Sequence, residues 1–236
     1  MPVDPALYRR HRFPAEIISH AVWLYFRFNL SHRDVEELLA ERGIRVSYEA
    51  VRLWCRKCGP AYADQLRRRR PGPADKWYVD EMQLKIRGHK YWLWRAVEHD
   101  GFVPDILVQE RRNEQAAVAF LRRVLAAAGG APRAIVTDKL ASYVPAVKRV
   151  LPATEHRRHK RLNNRAENSH LPVRKRERVL QRFKSAEHAQ RFLEPFSAVC
   201  NQFRPRRHRL SAQHYREMMR DRFRTWQEVV GSASRR

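Results

Sequence analysis

At 236 residues and 43% hydrophobic, the chain can bury a sizeable core in one large or two small domains, which argues against wholesale disorder. Its 49 lysines and arginines against 25 acidic residues give a net charge of +24 and a pI near 11.1, so its natural partner is a polyanion, nucleic acid first and an anionic membrane a distant second. The uncharged apolar stretches, such as residues 21–26 and 116–121, are too short to span a bilayer, and three cysteines argue against a disulfide framework and fit a reducing cytoplasm.

The chain opens on a loose basic arm over residues 1–14, too polar and charged between Tyr8 and Arg12 to read as a signal peptide. Three helical patterns follow in close order. Residues 15–28 are apolar and aromatic on most sides and read as a buried helix. Ser31-His-Arg-Asp34 has the form of a capping box opening a second helix, packed through Val35, Leu38 and Leu39, with Gly43 where a C-terminal cap belongs. Ser47 caps a third, whose core stripe Val51, Trp54, Cys55 and Cys58 follows helical spacing. Its outer face carries Arg52, Arg56 and Lys57. Two helices with a short connection, the second basic outside, suggest a helix-turn-helix; an ordinary three-helix bundle with a solvated face fits too, and the net charge favours DNA. Cys55 and Cys58 form C-x-x-C without a second pair, so core packing outweighs zinc. Residues 61–75, with Arg67 to Arg70 and then Pro71-Gly-Pro73, read as a basic linker able to follow a phosphate backbone.

Residues 76–86 read as a strand: aromatic and branched, with no Gly or Pro inside. Alternation puts Tyr78, Asp80, Met82, Leu84 and Ile86 on an apolar face, and Glu81, Gln83 and Lys85 on a polar, solvated one. Asp80 in a core needs a cation, hydrogen-bond donors or a proton. After a turn at Gly88 come a strand over 89–98, a tight turn at His99-Asp-Gly101, and a third strand over 102–109 whose Pro104 suggests an edge. Residues 113–128 form a helix ended by Gly129-Gly130. A short buried strand over 134–136 leads to Thr137-Asp138 at its carboxyl end, where open α/β sheets bind ligands, although an Asp there is more often a cap or turn former.

Residues 142–150 read as a helix and 154–160 as a short strand running into a basic loop. Asn164 is a good N-cap and Glu167 falls three residues later, so the bland account of Glu167 is a capping glutamate. The sharper account notes that His170 and Arg174 share its helix face, although Pro172 should kink that helix. Helices over 185–203 and 211–230 follow, with a basic loop between them, and the last is expected to pack internally or against a partner subunit.

Three acids stand out: Asp80, Asp138 and Glu167. The order of elements is a three-strand meander, a helix, a strand, then helices, which is that of a ribonuclease-H-like mixed α/β sheet flanked by helices, here preceded by an all-α helix-turn-helix domain. In that arrangement the Asp80 strand lies centrally, beside the strand ending in Asp138. Three carboxylates meeting in a basic surround would hold two divalent metals, about 3.5–4 Å apart, for in-line phosphoryl displacement. Magnesium suits oxygen ligands and phosphate substrates.

The chain resembles a DDE transposase of the bacterial insertion sequences grouped as family six. The resemblance is carried by Tyr78-Val-Asp-Glu81, Trp94-Arg-Ala-Val97 before Asp100-Gly101, Val136-Thr-Asp-Lys139, Asn163-Asn-Arg-Ala-Glu-Asn168, Arg182-Phe-Lys-Ser185 and Leu30-Ser-His-Arg-Asp-Val-Glu-Glu-Leu-Leu39, nearly end to end and in order. It implies that Asp80, Asp138 and Glu167 are the catalytic, metal-binding triad, taking two Mg2+ with Mn2+ able to substitute. It also implies that Arg174 lies near DNA, and that the protein binds terminal inverted repeats, frees a 3′ hydroxyl and joins it to target DNA, typically forming cointegrates. The 28 residues between Asp138 and Glu167 are fewer than in better-known members.

The expected organisation is a helix-turn-helix DNA-binding domain over 1–60, a basic linker over 61–75, a catalytic domain over 76–203, and a basic loop with a C-terminal helix over 204–236. Arg52, Arg56 and Lys57 are expected on the inverted repeat, and Lys139, His170 and Arg174 near phosphate or a displaced strand. The partners are then double-stranded DNA and a second copy in a homodimer or larger assembly, with no membrane, in a bacterial cytoplasm on the nucleoid. Two rivals are a helix-turn-helix regulator with an inactive second domain, and a nuclease on the same sheet that cuts without joining.

Overall fold

The computed structural model describes residues 2–69, 72, 74–159, 163–205 and 210–231. The expected end of the arginine run at Arg70, the prolines Pro71 and Pro73, the end of the basic loop after His159 (160–162), most of the later basic loop (206–209) and the C-terminal tail (232–236) lie outside the described residues. The chain divides into two compact units, one joining Met1–Arg70 with Pro195–Arg236 and the other being Pro71–Glu194.

The first unit is helical. After a 3-10 turn at Pro5–Tyr8 come α1 (Ala15–Arg27), α2 (His32–Glu41) and α3 (Tyr48–Arg68). The capping box of α2 forms in both directions, with Asp34 N donating to Ser31 Oγ at 3.1 Å and Ser31 N to Asp34 Oδ2 at 2.7 Å. Helix α3 runs on where a linker was expected from residue 61, passing through Pro60 to Arg68. The cause is its apolar stripe: Tyr62 and Leu66 continue the spacing of Cys58 and are buried with it. Arg67 and Arg68 fall in the last turn, where cations meet the negative end of the helix dipole. At Gly59 a Cβ would come within 2.9 Å of the Phe26 ring, so glycine is what lets α1 and α3 approach there. Cys55 and Cys58 are both buried and outside any disulfide, on the packed stripe of α3. The last helix (Ala212–Val230) finds its apolar partners within its own chain, Trp226 lying edge-on to Tyr62 at 5.3 Å and Phe223 against Trp23 at 5.3 Å.

The second unit holds a five-stranded sheet in the order β3-β2-β1-β4-β5. Strand β1 (Lys76–Ile86) pairs antiparallel with β2 (His89–Glu98) across a turn at Arg87 and Gly88, both with positive φ. Strand β3 (Ile106–Gln109) pairs antiparallel with β2 at the sheet edge; it is shorter than expected because pairing begins only beyond Pro104. On the other side of β1, β4 (Ala134–Thr137) and then β5 (Glu155–Arg158) run parallel to it. This is the ribonuclease-H-like arrangement, with β1 central. Helix α4 (Glu114–Ala128) is capped by the Asn113 side chain and ends on left-handed Gly129, and α5 (Tyr143–Val150) follows β4. Trp77, Val79, Trp94 and Ala96 of the sheet form one core with Phe120, Leu121 and Val124 of α4 and with Tyr143 and Val147 of α5.

The solvated setting expected for Glu81 is not there. Trp77, Val79 and Glu81 are buried on one face of β1, and Met82, Leu84 and Ile86 further along on the other. The reason is local: α4 and α5 cover that face over Trp77 and Val79 and so bury Glu81 beside them, while Gln83 and Lys85 further along the same face are exposed as alternation expects. Asp80 is the more accessible of the two acids, its side chain 14% exposed against 0% for Glu81.

Candidate active site

Strand register brings the two aspartates together. Tyr78 pairs with Val136 and Val79 with Thr137, so one further step sets Asp80 beside Asp138 at the carboxyl end of β4. Ligand oxygens of Asp80, Glu81 and Asp138 all lie within 4.8 Å of one another. Among the described residues, this is the group of acids or other metal-ligating side chains so placed, and Glu167 is not part of it.

Glu167 is exposed on α6 (Asn164–Ser169), a short helix tied at both ends to the Asp80 stretch. At its start the fully buried Asn163 donates its side-chain amide to Val79 O at 3.0 Å. At its end His170 Nε2 lies 3.2 Å from Asp80 Oδ2. The capping account of Glu167 does not hold: Asn164 is the first helical residue, Asn163 is the cap, and no side-chain cap bond is made. Among the described residues the Glu167 carboxylate has no hydrogen-bond or ion-pair partner. Pro172 does not kink a continuous helix. The chain breaks at His170, and Pro172 sits in the first turn of α7 (Leu171–Val179), where a missing N–H costs nothing.

His170, expected near phosphate, is 5% exposed and points at Asp80. Burial lowers its pKa, Asp80 opposing and the cations Arg95 and Arg174 adding, so the ring is neutral near pH 7. Because a carboxylate only accepts, Nε2 carries the proton and donates it to Asp80. The buried Nδ1, which has no partner, is then a bare lone pair rather than an orphaned donor.

Glu81 is held on both oxygens. Arg112 Nε donates to Oε1 at 2.5 Å, and the Tyr143 hydroxyl donates to Oε2 at 2.5 Å. Burial pushes the Glu81 carboxyl up to about 7, against the pull of Tyr143 and Arg112 and with the push of the Asp138 charge. Arg112 also lies 3.5 Å from Asp138 Oδ2, and its guanidinium sits 4.7 Å from the centre of the Trp92 ring. Asp138 Oδ1 accepts from Leu140 N at 2.9 Å. Sequence reasoning missed Glu81, Arg112 and Tyr143 as a set. Their one local signal was a second acid directly after Asp80; their partners lie 31 and 62 residues away.

The basic residues expected on DNA are in both units. Arg174 is exposed on α7 and lines an open groove with Glu177, Arg178, Gln181 and Arg182, while Lys139 is exposed just after Asp138. In the helical unit Arg52, Arg56 and Lys57 are exposed on α3. Arg52 is engaged by Glu49 at 2.9 Å, and Lys57 Nζ lies 2.9 Å from His11 Nε2. Among the described residues no helix is long and apolar enough to cross a membrane.

The chain is similar to known proteins. The family model DDE_Tnp_IS240, described as a DDE domain, matches residues 74–206. The transposase for insertion sequence-like element IS431mec of Staphylococcus aureus is 29% identical over 197 residues, covering 81% of this chain and 88% of the relative. The transposase for insertion sequence element IS257 in transposon Tn4003, also from Staphylococcus aureus, is similar to the same extent. Among solved structures, the magnesium complex of the HTLV-2 integrase catalytic core domain is similar at 14% identity and a TM-score of 0.44, over 56% of this chain and 88% of that one. With the family model covering more than half of its length, and its acids on a ribonuclease-H-like sheet, the chain belongs to the DDE-domain transposases and is a DNA-transposing polynucleotidyl transferase.

Proposed function

We propose that Asp80, Asp138 and Glu167 are the catalytic carboxylates of strand cleavage and strand transfer at the ends of an insertion sequence. The observation that carries the reading is the register of β1 against β4, which sets Asp80 beside Asp138, together with the two tethers that hold α6 and its unengaged Glu167 to the same stretch. The donor set is all oxygen, which suits Mg2+, with Mn2+ as a substitute. Held by these carboxylates, such ions would supply the positive charge that activates an attacking oxygen and stabilises a leaving one in an in-line displacement at phosphorus.

The residues of the chain prepare that site. His170 orients Asp80 through Nε2–H and leaves Oδ1 open to a ligand. Leu140 N turns Asp138 by holding Oδ1. Glu81 has both oxygens occupied by Arg112 and Tyr143, so it supports the site rather than completing it. Glu167 completes the triad when DNA brings its helix surface into use. Lys139, Arg174 and the arginines of the groove beside it follow the phosphate backbone, where each neutralised phosphate releases counterions. Helices α2 and α3 form the helix-turn-helix, with Arg52, Arg56 and Lys57 on the terminal inverted repeat. Two ends must be cut and joined to one target, so the working form is a dimer or larger assembly, acting on the nucleoid in the bacterial cytoplasm.

The test uses DNA carrying the inverted repeats that flank the coding region, with Mg2+ and a target plasmid. The full chain should release 3′ hydroxyl ends and join them to the target, and Asp80→Asn and Asp138→Asn should each abolish both steps while still binding the ends. Full activity in either variant would refute the assignment.

A further inference from the structure

The acidic cluster already contains a cation of its own. Arg112 comes from the connection before α4, one residue ahead of the Asn113 cap. Its guanidinium donates to Glu81 through Nε and a second nitrogen, lies 3.5 Å from Asp138 Oδ2, and is braced 4.7 Å from the Trp92 ring centre. Glu81 is itself fixed from the other side by the Tyr143 hydroxyl. Arg112 is therefore anchored on Glu81 and Trp92, and its link to Asp138 is the long one. That is the link a divalent ion taking Asp138 as ligand would replace.

We propose that Arg112 is a resident counter-cation that competes with the divalent metal for Asp138 and so sets how tightly the metal binds. This rests on the reading of Asp80 and Asp138 as metal ligands. It makes Arg112 a positioning residue rather than a catalytic one. In the metal-free state it neutralises carboxylates that would otherwise repel one another within 4.8 Å. Once Asp138 has turned to a metal, the anchor on Glu81 keeps the guanidinium at the edge of the site. A guanidinium stays protonated throughout, so the competition is one of charge and geometry.

The test is Mn2+ binding to the full-length chain, read by electron paramagnetic resonance of the free ion, with folding checked by circular dichroism. Removing one positive charge a few ångströms from a dication should tighten Mn2+ binding at least about fivefold in Arg112→Gln. Arg112→Met, which keeps an unbranched stem against Trp92, should do the same, so either folded variant gives the reading. Arg112→Lys, which keeps the charge, should stay within about twofold of the wild type. Unchanged or weaker binding in the neutral variants, or equal tightening in Arg112→Lys, overturns the proposal. If Asp80→Asn still abolishes cleavage, the catalytic reading survives that failure. Absence of Mn2+ binding by the wild-type chain, or binding that persists in Asp138→Asn, overturns both.

Discussion

Replacing Glu81 by glutamine should flatten the pH dependence of the stability of the metal-free protein. The Glu81 side chain is fully buried, and burial raises its carboxyl from an ordinary 4.5 to about 7. Below pH 4.5 the group is protonated whether the chain is folded or not, and it contributes its full stabilisation there. As the pH rises, the unfolded chain releases the proton first while the folded chain keeps it, so stability falls until the folded group also ionises near pH 7. At about 1.4 kcal/mol per pH unit, the gap corresponds to about 3 kcal/mol. For a chain of this size that is about 6 to 12 °C in melting temperature. The assay is thermal unfolding of wild type and Glu81→Gln in EDTA from pH 4.5 to 8. Carboxylates common to both chains cancel in the difference, so the variant should gain on the wild type steadily across the window. Parallel curves would refute the claim that Glu81 is an acid buried against its charge.

Two further perturbations probe the fold and the tether. Phe120→Ala empties a fully buried site against Trp94 and should cost about 3–5 kcal/mol in chemical denaturation; a loss below about 1 kcal/mol would contradict the packing described for that core. Asn163→Ala leaves the buried Val79 carbonyl without its donor and should cost about 1–3 kcal/mol, while lowering 3′-end cleavage at least about tenfold even where the protein remains folded. Cleavage at the wild-type rate in that variant would show that α6 needs no tether to β1.

The architecture was legible where local pattern and topology coincide. The Asp-Gly turn, the edge position implied by Pro104, the Asn113–Gly129 limits of α4 and the order of strands all follow from short-range chemistry. So did the pairing of Asp80 with Asp138, because a central first strand with β4 parallel to it leaves little choice. Glu81 was misread because alternation assigns one environment to a whole face, whereas the face shared by Glu81, Gln83 and Lys85 is covered by helices at Glu81 and open at the other two. The extent of α3 was hidden by Pro60 and the arginines, signals that usually end helices but are overridden here by Tyr62 and Leu66. Arg112 and Tyr143 were invisible because their partner lies far along the chain, and nothing local distinguishes a surface arginine from one braced over Trp92.

The central claim is that a third acid, distant in sequence and exposed on α6, joins Asp80 and Asp138 in cutting DNA. Its most direct test is 3′-hydroxyl formation on inverted-repeat DNA by Glu167→Gln at saturating Mg2+, beside Glu81→Gln. The account predicts no detectable cleavage from Glu167→Gln, with end binding retained, and reduced but measurable cleavage from Glu81→Gln. Wild-type cleavage by Glu167→Gln, with loss confined to Glu81→Gln, would contradict it and make the buried acid of β1 the third ligand.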